Sequence, residues 1–159
     1  MNETEFSLRP ATIEDLQQLV AIERQVHVAP WTEAHFAAEL TKPYSYFYVL
    51  TDDETDSKIA GYIVCWMMFE DCQILNVAVD LPFRGLGMAK LMIRKAIALA
   101  SVQGIKKVIL EVRKSNMPAI QLYQGLGFTI THILKNFYGN GEDADQMAHL
   151  LLDTPEWTE

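Results

Sequence analysis

The 159-residue sequence predicts an α/β (α+β) fold, a single domain over residues 1–159 with a mixed central sheet of about seven strands and about four helices. The predicted order is β-α-α-β-β-β-α-β-α-β-β. Three observations lead there. Short runs rich in branched and aromatic residues alternate with stretches whose apolar residues recur at helical spacing. In the middle of the chain three such runs follow one another across short polar turns, as adjacent antiparallel strands do. Further on, a run, a long amphipathic stretch and a second run are arranged as a parallel crossover. The length suits one core, and half of the residues are hydrophobic, which is ample for burial.

Taken in order, Phe6 to Ala11 predicts a short strand. Thr12-Ile13-Glu14-Asp15 then offers a capping hydroxyl with an acid three residues on, and Ile13, Leu16, Leu19, Val20 and Val26 carry a first helix to about His27. Thr32 caps a second helix striped by Phe36, Ala37 and Leu40, which Pro43 stops. Tyr44 to Thr51, Ile59 to Met68 and Gln73 to Val79 read as three strands, the first two parted by the acidic turn Asp52-Asp53-Glu54-Thr55-Asp56. After the turn-forming stretch Asp80 to Gly87, the residues Met88, Leu91, Met92, Ala96, Leu99 and Ala100 mark a helix that lasts until Gly104. Val108 to Val112 is a strand again. Ser115-Asn116-Met117-Pro118 opens a helix that runs into Gly125 and Gly127. Phe128 to Tyr138 and Asp145 to Leu152 read as a hairpin around Gly139-Asn140-Gly141.

Charge and composition narrow the function. A net charge of −8 leaves no broad basic surface for a phosphate backbone, so no nucleic-acid partner is expected, and a cationic substrate fits the balance better. Met1-Asn2-Glu3-Thr4-Glu5 lacks the basic head and apolar run of a signal peptide, and no stretch is apolar enough to span a membrane. A soluble, cytoplasmic protein without a membrane partner is expected. Cys65 and Cys72, both in apolar runs, read as small buried hydrophobes.

Three segments carry chemistry. Arg84-Gly85-Leu86-Gly87 lies between a strand and an amphipathic helix, where glycines let backbone N–H groups approach a ligand and the helix start favours an anion such as pyrophosphate. A tight connection with ordinary capping would use the same residues. The turn has neither the Lys-Ser/Thr ending of a P-loop nor the three-glycine dinucleotide spacing. Glu111 shares a strand face with Ile109 and Arg113 while Val108, Leu110 and Val112 share the other. It is either paired with Arg113 or a general base for an amine. Tyr123, in the short helix closed by Gly125-Leu126-Gly127-Phe128, is either a packed core ring or a proton donor to a leaving thiolate.

Leu75-Asn76-Val77-Ala78-Val79-Asp80, the glycine turn, Leu110-Glu111-Val112-Arg113, Ser115-Asn116 and Ala119 through Phe128 resemble, in order and spacing, the coenzyme-binding and catalytic segments of the GNAT acetyltransferase superfamily. His27 through Glu33, Asn136-Phe137-Tyr138, Glu142-Asp143-Ala144 and Met147 narrow the likeness to its branch of bacterial N-terminal alanine acetyltransferases that act on a small-subunit ribosomal protein. The resemblance implies acetyl-coenzyme A (acetyl-CoA) as acetyl donor, a protein N-terminus as acceptor, direct attack in a ternary complex, and no metal. It implies that Val77, Ala78 and Val79 pair with the pantetheine arm, that Phe83, Arg84, Gly85, Leu86, Gly87 and Met88 hold the pyrophosphate, and that Asn116 contacts the coenzyme. Glu111 would be base and Tyr123 acid, with Trp31 and Tyr138 bordering the acceptor groove. Lysine side chains or small amines as acceptors, and a non-enzymatic acyl-CoA sensor, are the alternatives. Two departures stand out. Pro82 occupies a place where the family usually has Gln or Arg, in a loop two residues shorter than typical, which implies that one hydrogen bond to phosphate is missing or moved to Arg84. Asp145 and Gln146 replace apolar residues of the final strand, which predicts an exposed face there and assigns it no role in the chemistry.

Overall fold

The computed structural model describes residues 6–55 and 58–151. The expectations for residues 1–5, for Asp56 and for Leu152 fall outside them. Among the described residues seven strands form one sheet: β1 (Phe6–Pro10), β2 (Ser45–Asp52), β3 (Lys58–Met68), β4 (Asp71–Val79), β5 (Lys107–Arg113), β6 (Thr129–Leu134) and β7 (Ala144–Leu150), in the spatial order β1-β2-β3-β4-β5-β7-β6. The helices are α1 (Leu16–Val26), α2 (Glu33–Glu39), α3 (Met88–Val102) and α4 (Met117–Gly125). β1 to β4 pair antiparallel, β4 and β5 pair parallel, and β7 inserts antiparallel between β5 and β6. The mixed α/β class, the element order and the parallel crossover are as the sequence predicts.

Two cores sandwich the sheet. On one face Leu16, Leu19 and Ile22 of α1 and Phe36 of α2 pack on Phe47, Val49, Ile59, Tyr62 and Val64. On the other, Met92, Ile93, Ala96 and Ala100 of α3 and Ile120 of α4 pack on Leu50, Ile63, Cys65, Cys72, Leu110 and Val112. β3 serves both faces, so Ile59 through Cys65 is buried without a break, as a strand covered on both sides requires. Gly61 permits a close approach within this sheet: a Cβ there would stand 2.6 Å from the Ala78 carbonyl oxygen and 3.0 Å from the Met92 methyl. Cys65 and Cys72 are buried free thiols, in keeping with their reading as small hydrophobes. No helix among the described residues is long and apolar enough to cross a membrane.

The departures have local causes. The first helix opens as a 3₁₀ turn over Ile13–Asp15, because the Asp15 carboxylate folds back to accept from the Thr12 amide at 2.8 Å and from Arg9 at 2.8 and 2.9 Å. The second ends at Glu39, short of Pro43, where turn hydrogen bonds replace helical ones. The last hairpin is wider than predicted. β6 stops at Leu134 because Asn136, at φ 52°, gives its N–H to the Asp143 carboxylate at 2.9 Å and starts a loop. Asp145 corrects the expectation of an exposed face. With β7 paired on both edges it is 2% exposed and bonded to Lys114 Nζ at 3.0 Å.

Candidate active site

β4 and β5 pair only through Asp71↔Lys107, Cys72↔Val108 and Gln73↔Ile109, although β5 pairs with β7 along its whole length. Just past that short ladder β4 carries a bulge. Against β3, Val64 faces Asn76 and the next residue, Cys65, faces Ile74, which leaves Leu75 as the extra residue. A bulge bends a strand, increases its twist and re-aims its side chains. Cys72 and Ile74 therefore face α3 and α4, while Ala78 faces α1 and α2. Where the ladder ends, a cavity of about 240 Å³ opens between Ile74–Val77 of β4 and Leu110–Arg113 of β5. Glu23, His27 and Trp31, together with Asn116, Tyr123 and Tyr138, also line it.

Glu111, half-buried on β5, is gripped from both neighbouring strands. Gln73 Nε2 donates to Oε1 at 2.7 Å and Gln146 Nε2 donates to Oε2 at 3.2 Å. The alternative pairing with Arg113 is not made. Arg113 Nη1 instead reaches Glu142 at 3.1 Å, and the guanidinium lies 4.0 Å from the centre of the Tyr138 ring. Gln146 thus has a place at the site, a role that the sequence reading does not assign it. Tyr123 stands on α4 with its ring 5.9 Å from that of Phe128. Burial, and to a lesser degree Tyr138, pushes its hydroxyl up to about 12, so it holds its proton at neutral pH. Asn116 caps α4, its Oδ1 accepting from the Ala119 amide at 3.3 Å.

The glycine turn lies along the continuation of β4 rather than in the cavity wall. Gly85 and Gly87 have φ of 79° and 80°, the left-handed region that suits glycine, and a Cβ at either would meet nothing within 4 Å. Gly87 precedes α3 without a side-chain cap, so the first amides of a 15-residue helix are left to other acceptors. Phe83 and Met88 bury their side chains in the core and offer only backbone to a ligand. Pro82 sits inside a 3₁₀ turn over Leu81–Phe83 capped by Asp80, where its missing N–H is not needed. Arg84 turns back, Nε donating to the Val79 carbonyl at 3.2 Å. Val77, Ala78 and Val79 pair with β3 on one edge and lie beyond the end of the β5 ladder on the other.

Trp31 stacks on His35 with ring centres 3.9 Å apart, and Tyr138 meets Phe137 edge-on at 5.0 Å. Together they frame a second groove of about 370 Å³ that shares Trp31, Ile74, Leu75, Glu111 and Tyr138 with the first cavity. Its far wall holds Glu39, which accepts from Trp66 Nε1 at 2.8 Å, Ser45 Oγ at 2.9 Å and Lys42 Nζ at 2.5 Å. Burial pushes the Glu39 carboxyl up, but these three donors outweigh it and hold it below its usual range.

Of the residues that the sequence reading singles out, the structure brings Glu111, Tyr123, Asn116, Val77, Trp31 and Tyr138 to one cavity. That reading passes over Glu23, His27, Asn76, Gln73, Gln146 and Glu39. For Glu23 a signal existed: with Leu16 and Leu19 it falls on the buried stripe of α1.

A model of the acetyltransferase (GNAT) family matches residues 14–128. A Bacillus subtilis (strain 168) protein provisionally named a ribosomal protein bS18-alanine N-acetyltransferase is 36% identical over 143 residues, which cover 89% of this chain and 93% of that one. An N-alpha-acetyltransferase of Sulfurisphaera tokodaii is 30% identical over 157 residues, or 91% of this chain and 92% of that one. The crystal structure of the ribosomal-protein-S18-alanine N-acetyltransferase of Escherichia coli superposes with a TM-score of 0.85 at 28% identity, over 95% of this chain and 97% of that one.

Proposed function

The chain belongs to the GNAT acetyltransferase family, and from that premise we propose that it moves acetyl from acetyl-CoA to the α-amino group of a protein N-terminus. The first candidate is the N-terminal alanine of the small-subunit ribosomal protein bS18, in the cytoplasm, with residues 1–159 acting as one domain. The observation that carries this reading is the meeting of the two grooves at Glu111. One lies between Ile74–Val77 of β4 and Leu110–Arg113 of β5, and the other runs between Trp31 and Tyr138. Relatives named for acetylating an α-amine, from a bacterium and an archaeon, support the choice of acceptor.

The chain's own residues suit the donor. The free edge of Val77 to Val79 can pair with an amide-bearing arm as an added strand would, and the unobstructed Gly85–Gly87 turn and the uncapped start of α3 suit a pyrophosphate. Glu111, held in place by Gln73 and Gln146, accepts a proton from the acceptor nitrogen, directly or through water. Tyr123 gives its proton to the departing sulfur, and its enclosure keeps that proton in place until then. Asn116 binds the coenzyme at the mouth of α4. Trp31 and Tyr138 hold the acceptor's first residues between two aromatic faces.

Incubation with acetyl-CoA and a panel of peptides differing at residue one, beside lysine side chains and free polyamines, tests the proposal. Acetylation confined to α-amines, alanine peptides foremost, is expected. Transfer to lysine or polyamine alone would replace the acceptor, and the absence of thiol release with every acceptor offered would leave the sensor alternative. Intact-mass spectra of ribosomal proteins from cells with and without the gene should differ by one acetyl group on one small-subunit protein.

A further inference from the structure

We propose that His27 is a second proton acceptor of this site, serving the acceptor amine before Glu111 does; the proposal rests on the acetyl-transfer reading above. An α-ammonium carries three protons and the amide product one. Two therefore leave the nitrogen: one ends on the released thiol and the other goes to solvent. Glu111 and Tyr123 account for the proton bound for sulfur. The other needs an outlet.

His27 lies one residue past the end of α1 and lines the same cavity as Glu111, with its side chain 37% exposed. Its Nε2 stands 2.8 Å from Asn76 Oδ1, while Asn76 Nδ2 donates to Glu23 Oε1 at 3.0 Å. A carbonyl oxygen only accepts, so Nε2 must carry the hydrogen, and Nδ1 keeps its lone pair. The chain from His27 through Asn76 to Glu23 thus fixes the tautomer. Glu23 is 1% exposed, and its further donors are the Tyr62 hydroxyl and the Trp31 amide, the latter at 2.9 Å. No cation neutralises it in that set. Its Oε1 lies 3.7 Å from His27 Nε2, so a proton taken up by the ring meets a negative charge.

The other titratable groups around the cavity are Tyr62 of β3, Glu111 and Arg113 of β5, Tyr123 of α4 and Tyr138. Arg113, the cation among them, is already paired with Glu142. The ammonium passes one proton to His27 Nδ1, directly or through a water, and the partly exposed ring releases it to solvent. The nitrogen then attacks the thioester carbon while Glu111 takes its second proton and Tyr123 protonates the sulfur.

His27→Gln retains a donor for Asn76 and removes the proton acceptor. An α-amine of pKa about 8 is only about one-tenth neutral at pH 7. With an N-terminal alanine peptide, kcat/KM of the variant should therefore fall about tenfold at pH 7, and the deficit should close above about pH 9, where the amine is neutral unaided. KM for acetyl-CoA should not move. A deficit that persists unchanged across that range, as a packing role would give, overturns the proposal, as does no deficit at pH 7. A wild type that acetylates no α-amine sinks the functional reading and this inference together, whereas an active wild type with an indifferent variant sinks only the inference. Long-range 1H–15N NMR of the wild-type ring gives an independent readout. Hydrogen on Nε2 is expected, and a ring protonated mainly at Nδ1 overturns the assignment whatever the activity.

Discussion

Glu111 sits where two side-chain amides reach it from opposite strands, a setting that holds the carboxylate still without the cation that a simple ion pair would bring. Its presence in a buried strand is legible in the sequence, because a carboxylate among Val, Ile and Leu needs a partner or a task. Its partners are not. Gln73 and Gln146 come from strands whose register to β5 no local pattern specifies, and Arg113 is drawn away by Glu142 in a loop that the sequence reads as the end of a hairpin. Glu111→Gln should lower kcat by roughly a hundredfold or more, the usual scale of a missing general base, with KM for acetyl-CoA little changed. Tyr123→Phe should slow thiol release in single-turnover measurements while leaving coenzyme binding intact. Wild-type rates in both variants would remove these residues from the chemistry.

Among the elements, β4 decides where the site is. The alternation of β4 identifies it as a strand, yet its bulge at Leu75 is invisible in the sequence, since a bulge is a property of two paired strands and β4 reads as regular when taken alone. The same limit explains Asp145: its strand is evident from the residue pattern, but its burial follows from β7 lying between β5 and β6, a spatial order that sequence order does not give. Element boundaries differ for a humbler reason, the competition of the Asp15 and Asp143 carboxylates with regular backbone pairing. One glycine tests how closely β4 is held. Gly61→Ala would set a methyl 2.6 Å from the Ala78 carbonyl, where the clash is with backbone and cannot be relieved by a rotamer change. Overpacking of this kind costs about 1–3 kcal/mol. The variant should melt several degrees lower and show a raised KM for acetyl-CoA with acceptor KM less affected, as calorimetry and initial rates would record.

In the molecule as a whole, the alternation of strand and helix patterns makes the class and order of the fold legible, because every element has a buried face that its own periodicity declares. The cleft is legible only through resemblance, since it arises where pairing fails. That failure has a consequence for motion. Three residue pairs tie β1–β4 to β5–β7–β6 through the sheet, so this seam is where the sheet can open locally while α3 and α4 hold the core that both parts share. Hydrogen exchange should divide the molecule there, with amides of Val77 to Val79 that β3 does not engage exchanging early. Acetyl-CoA should slow that exchange and raise the melting temperature, since a ligand that bonds the free edge stabilises the joined form. Equal exchange with and without it would mean that the edge stays unpaired in the complex. A donor that does slow the exchange works also as a removable strand, so that the enzyme is most rigid when charged and loosens at the seam as product leaves.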